Sequence, residues 1–153
     1  MNIFTILTPK SQTEFIEYDS TIRQALETFD FHKFSVVPLI DDEGKYVCTL
    51  SEGDILRYIK NEANFDIDVA ESIKVNTIEK YRTYEALTVD ASIDQILVLA
   101  MNQNFIPIID DRGMYIGIIK RKDIIELYIK HLHKDWVWFI HTFLFFFVYF
   151  IGG

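Results

Sequence analysis

Pro38 to Arg57 reads PLIDDEGKYVCTLSEGDILR, and Pro107 to Glu126 reads PIIDDRGMYIGIIKRKDIIE. Set against each other without a gap, they share Pro, Ile, Asp, Asp, Gly, Tyr, Asp and Ile in the same order, so the chain repeats itself. With a two-residue adjustment the match extends upstream, where Asp19 to Leu26 (DSTIRQAL) resembles Asp90 to Leu97 (DASIDQIL). Each unit runs about 60 residues, too long for an ordinary solenoid repeat.

The periodicity changes in the same order in both units. Asp19-Ser20-Thr21 and Asp90-Ala91-Ser92 are helix N-cap signals. They precede apolar residues at helical spacing, Ile22, Ala25, Leu26 and Phe29 in one unit and Ile93, Ile96, Leu97 and Ala100 in the other. Two short apolar runs follow, Val36 to Ile40 and Tyr46 to Leu50, with Ile106 to Ile109 and Tyr115 to Ile119 as their counterparts. The Asp-Asp-x-Gly between each pair suits a hairpin whose glycine takes a left-handed position. A second amphipathic helix closes each unit, over Gly53 to Lys60 and Lys122 to about His133. The expected fold class is α+β, as two pseudo-symmetric β-α-β-β-α units (1–60 and 81–133) joined by a polar linker (61–80). Asp68 to Ile73 is a short helical stretch in that linker. Each unit is too small to hold a comfortable core alone, so the two are expected to face each other.

The chain has 153 residues, 50% apolar and 25% charged, with 6 Gly and 3 Pro, which excludes collagen-like, low-complexity and disordered classes. Lys and Arg number 15 against 23 Asp and Glu, a formal charge of -8, which argues against a nucleic-acid polymer as partner. Cys48 is the single cysteine and cannot form an internal disulfide, so a reducing, cytoplasmic setting is expected. Met1 to Phe4 carries no basic region or cleavage site, so no secretory signal is expected. No phosphate-cradling or dinucleotide glycine motif occurs, and the four histidines lack a zinc spacing, so neither catalysis nor a cofactor is expected.

The strand, proline, Asp-Asp-x-Gly hairpin and closing Ser-x-x-Asp or Lys-x-x-Asp helix start resemble a CBS motif, and the pair resembles a Bateman module. The likeness covers about residues 3 to 130, with LSEGDIL and IIKRKDII as its most specific segments. TPKS and MNQNFIPIIDDRG further resemble the small stand-alone CBS-pair proteins of Gram-positive anaerobes. The resemblance implies a sensor that binds adenosine nucleotides between the paired motifs. An aspartate at the start of each closing helix would hold the ribose hydroxyls, and the matching positions are Asp54 and Asp123. Ser51 matches the hydroxyl on the phosphate side; Lys120 occupies that place in the second unit, a departure. Ser35 and Asn104, three residues before the prolines, stand where the family places a polar or basic group facing phosphates. Lys10 comes from the segment that borders a pocket in the family. Val37 and Ile106 are candidate adenine walls, although core packing explains them equally well.

Physical chemistry supplies both a functional and a plainer reading. A carboxylate accepts two hydrogen bonds from a cis-diol, and helix N-termini favour phosphate. Ser51-x-x-Asp54 is also a capping box. Lys120 cannot cap a helix, yet Asp123 is still there. Lys120, Arg121 and Lys122 form the densest basic run of the body, and three cations at a helix start oppose its dipole unless an anion relieves them. The Asp123 pocket is therefore expected to take the more highly charged nucleotide, with Glu52 disfavouring phosphate near Asp54.

All charged residues precede Trp136, and 134–153 form an apolar, aromatic tail. As a helix, Trp136 to Ile151 would span roughly 24 Å, short of a ~30 Å hydrocarbon core. It reads as a marginal membrane segment, as a helix packed on the module or a partner, or as a non-native extension. The leading expectation is a non-enzymatic regulator that binds AMP, ADP or ATP and acts on a protein target. The alternatives are a sensor of cyclic di-AMP and a membrane-tethered interaction protein with vestigial pockets. A homodimer is expected, because Ile55, Leu56, Ile59, Ile124, Ile125 and Leu127 give the closing helices more apolar sides than one interface covers.

Overall fold

A computed structural model describes residues 3–62 and 66–130 of the chain. In chain order these form β1 (Leu7–Pro9), β2 (Ile16–Glu17), α1 (Ile22–His32), β3 (Val36–Ile40), β4 (Tyr46–Ser51) and α2 (Glu52–Asn61). There follow α3 (Ile67–Ala70), β5 (Leu87–Thr88), α4 (Ile93–Ala100), β6 (Phe105–Ile109), β7 (Tyr115–Lys120) and α5 (121–130). Capping boxes start the first helix of each unit: Thr21 accepts from the Gln24 amide and Ser92 from the Gln95 amide, while each glutamine reaches back. Lys33 ends α1 in the left-handed conformation.

The Asp-Asp-x-Gly turns are equally alike. Asp41 Oδ1 accepts the amides of Glu43 (3.1 Å) and Lys45 (2.8 Å), and Asp110 Oδ1 those of Arg112 (2.9 Å) and Met114 (2.8 Å). Gly44 and Gly113 take φ of 89° and 81°, so the repeated glycine is what lets the hairpins close. Each hairpin then gains a short parallel strand, giving β2-β3-β4 in one sheet and β5-β6-β7 in the other.

The chain departs from simple repetition at its start. β1 does not join the sheet of its own unit but pairs antiparallel with β7, Leu7 opposite Ile119 and Pro9 opposite Gly117. The second sheet is thus β1-β7-β6-β5, and residues placed in the 1–60 unit by sequence order complete the other unit's sheet. Two cores result. Ile22, Ala25, Phe29, Val37, Leu39, Leu50 and Ile55 build the first, and Ile3, Ile96, Ile106, Ile108, Ile119 and Ile124 the second.

The 61–80 stretch, read from its polar composition as a linker, contributes Ala70, Val75 and Ile78 to the first core. It acts as a strap: Ile22 donates to the Ile73 carbonyl (2.9 Å) and Val75 to that of Ser20 (2.8 Å). The helical turn within it, Ile67–Ala70, is shorter than the expected Asp68 to Ile73.

The two hairpins meet at their tips, where the Tyr46 amide donates to the Gly113 carbonyl (3.1 Å) and the Tyr115 amide to that of Gly44 (3.0 Å). Their phenols then cross between units: Tyr46 donates to the Tyr84 carbonyl (3.1 Å) and Tyr115 to Thr13 Oγ1 (3.1 Å). Burial pushes both hydroxyls up, Tyr115 to about 12 and Tyr46 further. The folded chain therefore keeps protons that the unfolded chain loses near pH 10, so stability is full below about pH 10 and falls as pH rises through the folded value. Urea midpoints at pH 8 and at about pH 11 check this. A drop at the higher pH is expected, and Tyr115→Phe should reduce it.

Candidate functional site

Each closing helix begins with an aspartate facing the chain segment that leads into the other unit. At α2 the Ser51 hydroxyl accepts the Asp54 amide (3.2 Å), and Asp54 Oδ2 accepts the Ser51 amide (2.9 Å) and hydroxyl (2.7 Å). Asp54 Oδ1 takes the Tyr81 amide (2.9 Å) and Arg57 Nη1 (3.4 Å). Arg57 in turn lies 4.1 Å over the Tyr81 ring. The carboxylate is 3% exposed, with both oxygens engaged, and the cleft beside it measures about 230 Å³. Nearby, the Lys80 ammonium is held by the carbonyls of Val75 (2.7 Å) and Ile78 (2.5 Å), and burial pushes the Cys48 thiol up.

Asp54 thus caps the helix and clamps the strap. Asp54→Ala should cost about 2 kcal/mol, because it strands the Ser51 and Tyr81 amides. Chemical denaturation reads this directly, and Asp54→Asn, which keeps one acceptor oxygen, should lose less.

The second unit differs at the equivalent place. Lys120 stands where Ser51 stands, so no side chain caps α5 from that position. Asp123 is half-buried, and among the described residues its carboxylate accepts no hydrogen bond and pairs with no cation. It faces a cleft of about 400 Å³ walled by Thr5, Ile6, Leu7 and Thr8 on one side and Glu126, Leu127 and Lys130 on the other. The two clefts are pseudo-equivalents, one closed by its own groups and one with an uncommitted carboxylate.

Between the units lies a third cavity of about 370 Å³, lined by His32, Phe34, Val37, Asn104, Lys120 and Lys122 among others. The structure therefore brings Asn104, Lys120, Lys122 and Val37 together, while Asp123, next to Lys122 in sequence, lines the separate cleft. Lys122 also lies 3.7 Å from Glu126. Arg121 is turned elsewhere, its Nε donating to the Gln103 carbonyl (3.0 Å). Ser35 is exposed and uses its carbonyl to hold the Glu52 amide (3.0 Å), as Asn104 holds that of Arg121 (3.0 Å). Ile106 is fully buried in the second core. Lys10 lies 5.0 Å from the centroid of the Phe15 ring and lines neither aspartate cleft. Sequence reasoning missed Arg57, Tyr81 and the Thr5 to Thr8 wall. Tyr81 sits in an aperiodic segment, and the wall is recruited by the β1 exchange, so neither leaves a local pattern.

Among the described residues no helix is long and apolar enough to cross a membrane. The tail from Trp136 to Ile151, and all three readings of it, lie outside the described residues.

The family model of the CBS domain matches residues 7–61 and 82–130. The inosine-5'-monophosphate dehydrogenase of Aquifex aeolicus (strain VF5) is 30% identical over 112 residues, 72% of this chain. An uncharacterized 17.7 kDa protein of Acidianus ambivalens is 29% identical over 108 residues, 68% of this chain. The chain matches 21% and 60% of the lengths of these two relatives. Among solved structures, a CBS domain protein from Streptococcus pneumoniae TIGR4 superposes with a TM-score of 0.77 at 24% identity, over 85% of this chain and 88% of that one. CbpB in complex with c-di-AMP gives 0.78 at 24% identity, covering 88% and 89%. CBSX2 in complex with AMP gives 0.64 at 21% identity, covering 82% and 94%. At these identities the structural likenesses speak for the fold, a CBS pair.

Proposed function

Because this chain belongs to the CBS domain family, we propose that it is a non-enzymatic, cytoplasmic regulator that holds an adenine nucleotide at Asp123 and passes its occupancy to a protein target. The observation that carries this reading is the contrast between the two aspartates: Asp54 has both oxygens taken, whereas Asp123 has none taken among the described residues. A half-buried carboxylate at a helix start, in a cleft of about 400 Å³, offers two acceptors to a ribose cis-diol. Lys120 and Lys122, three residues and one residue before Asp123, line the central cavity and supply positive charge for phosphates that extend toward it, which also relieves their opposition to the helix dipole. One nucleotide per chain follows, with AMP, ADP or ATP as the ligand class. The dehydrogenase match spans 21% of that enzyme, so its reaction is no part of this proposal.

Cyclic di-AMP is the second reading. It is favoured by the turning of Lys120 and Lys122 toward the central cavity, where a second phosphate group would fit. Against it, the 3′-oxygen of a cyclic dinucleotide is tied in the phosphodiester, so Asp123 would lose one partner. Titration of the purified chain with AMP, ATP and cyclic di-AMP, following thermal stability, separates them. A ligand at 100 times its Kd adds ~2.7 kcal/mol. Stabilisation by AMP or ATP supports the first reading, by cyclic di-AMP alone the second, and by none of them neither.

We also take the acting form to be a homodimer. Ile55 and Ile124 are buried in their own units, but Leu56 and Ile125, at equivalent positions of α2 and α5, are 66% and 51% exposed. A second copy covering both would remove this surface from water.

A further inference from the structure

The largest of the cavities described shares no residue with either aspartate cleft. It is an open groove of about 720 Å³ between β2, the outer strand of its sheet, and α1. Phe15 and Ile16 form its apolar side on the strand, and Phe31 stands at its helical rim. Ile22, Ala25 and Phe29 turn to the core, so Gln24, Glu27, Thr28 and Phe31, spaced by three or four residues, form the opposite stripe of α1. Phe31 is 81% exposed, an aromatic side chain left in water with no role in the core. Phe15 is held edge-on against Tyr115, ring centroids 6.2 Å apart, so one wall is fixed by the inter-unit tyrosine contact.

The charge of the groove lining is mainly acidic, although His32 also lines it and Lys10 lies 5.0 Å over the Phe15 ring. Glu17, Glu27 and Asp30 line it, and no lysine or arginine does. Asp30 is offset by Lys33 (2.7 Å), but Arg23 is shared between Glu27 (3.3 Å) and Glu71, and the Glu17 carboxylate pairs with no cation among the described residues. Glu17, and Glu27 in so far as Arg23 is drawn to Glu71, leave a negative rim beside the apolar side, on a chain of net charge -8.

We infer that this groove docks a basic amphipathic segment of a partner protein, whose apolar side chains lie against Phe31 and Phe15 while Lys or Arg reaches Glu17 and Glu27. An acidic rim around an aromatic anchor is complementary to that chemistry and repels acidic segments. The inference shares with the functional reading the premise of a protein target but not its nucleotide. Testing it without nucleotide therefore keeps the two failures apart.

The probe is a fluorescent Leu/Lys amphipathic peptide of about four helical turns, with a Leu/Glu peptide of the same pattern, titrated onto the full chain by anisotropy. The Leu/Lys peptide should bind, weaken as salt rises, and lose about tenfold or more with Phe31→Ser and with Glu27→Lys. The Leu/Glu peptide should not bind. Met101→Ser, at an apolar side chain of like exposure (79%) outside the groove, should leave affinity unchanged. All three positions are on the surface, and thermal unfolding confirms that each variant is folded. No binding, or equal loss from Phe31→Ser and Met101→Ser, overturns the proposal. So does sedimentation in which Phe31→Ser alone dissociates a dimer, since a second copy would then own the groove.

Discussion

Gly117→Ala is expected to lower stability by about 3 kcal/mol, the upper end for overpacking a tight site. A Cβ at Gly117 would lie 2.2 Å from the Thr8 carbonyl oxygen, 3.0 Å from Pro9 Cα and 3.1 Å from the Lys10 nitrogen. All three obstacles are backbone, so no side-chain rotation relieves the clash and β1 must move off β7. The pairing of Leu7, Thr8 and Pro9 with Ile119, Ile118 and Gly117 would go with it. Gly113→Ala is the internal control: its φ of +81° strains an alanine, but nothing lies within 4 Å of the added carbon, so about 1 kcal/mol is expected. Because Thr5 to Thr8 wall the Asp123 cleft, Gly117→Ala should also weaken nucleotide binding, whereas Gly113→Ala should not. Urea denaturation placing the two variants level would show that β1 is not held as described.

Asp123→Ala should cost nucleotide affinity about 100-fold at little cost in stability. Two charge-assisted hydrogen bonds to a cis-diol are worth about 3 kcal/mol together at the low end of their range, which is about two decades in Kd. With no partner among the described residues, the carboxylate has little folded-state interaction to lose, so the urea midpoint should stay near wild type. Asp54→Ala should behave in the opposite way, losing stability while at least half of the nucleotide binding survives. On this proposal the pair of aspartates, alike in sequence position, divides into one that holds the fold and one that holds the ligand.

The repeat, the hairpin glycines and the capping boxes were legible because each is a local rule: a side chain bonding an amide three residues on, or a turn needing positive φ. Ser51 and Asp54 form the cap that their spacing implies. What was not legible is non-local. No pattern in Leu7 to Pro9 tells which sheet a three-residue strand will join. Gly117 holds the clue only once Thr8 is seen against it. The strap from Asp66 to Lys80 hides Ala70, Val75 and Ile78 among acidic residues, so composition reads linker where packing finds core. Lys120, Arg121 and Lys122 read as one basic run, but a helix start fans successive side chains apart. Arg121 turns to the Gln103 carbonyl while its neighbours face the central cavity.

Isothermal titration of ATP and AMP into the wild-type chain, Asp123→Ala and Asp54→Asn tests the central claim most directly. The account predicts about one nucleotide per wild-type chain, loss of nearly all binding in Asp123→Ala, and near-normal affinity and stoichiometry in Asp54→Asn. Two nucleotides per chain with equal losses from both variants, or undiminished binding to Asp123→Ala, would contradict it.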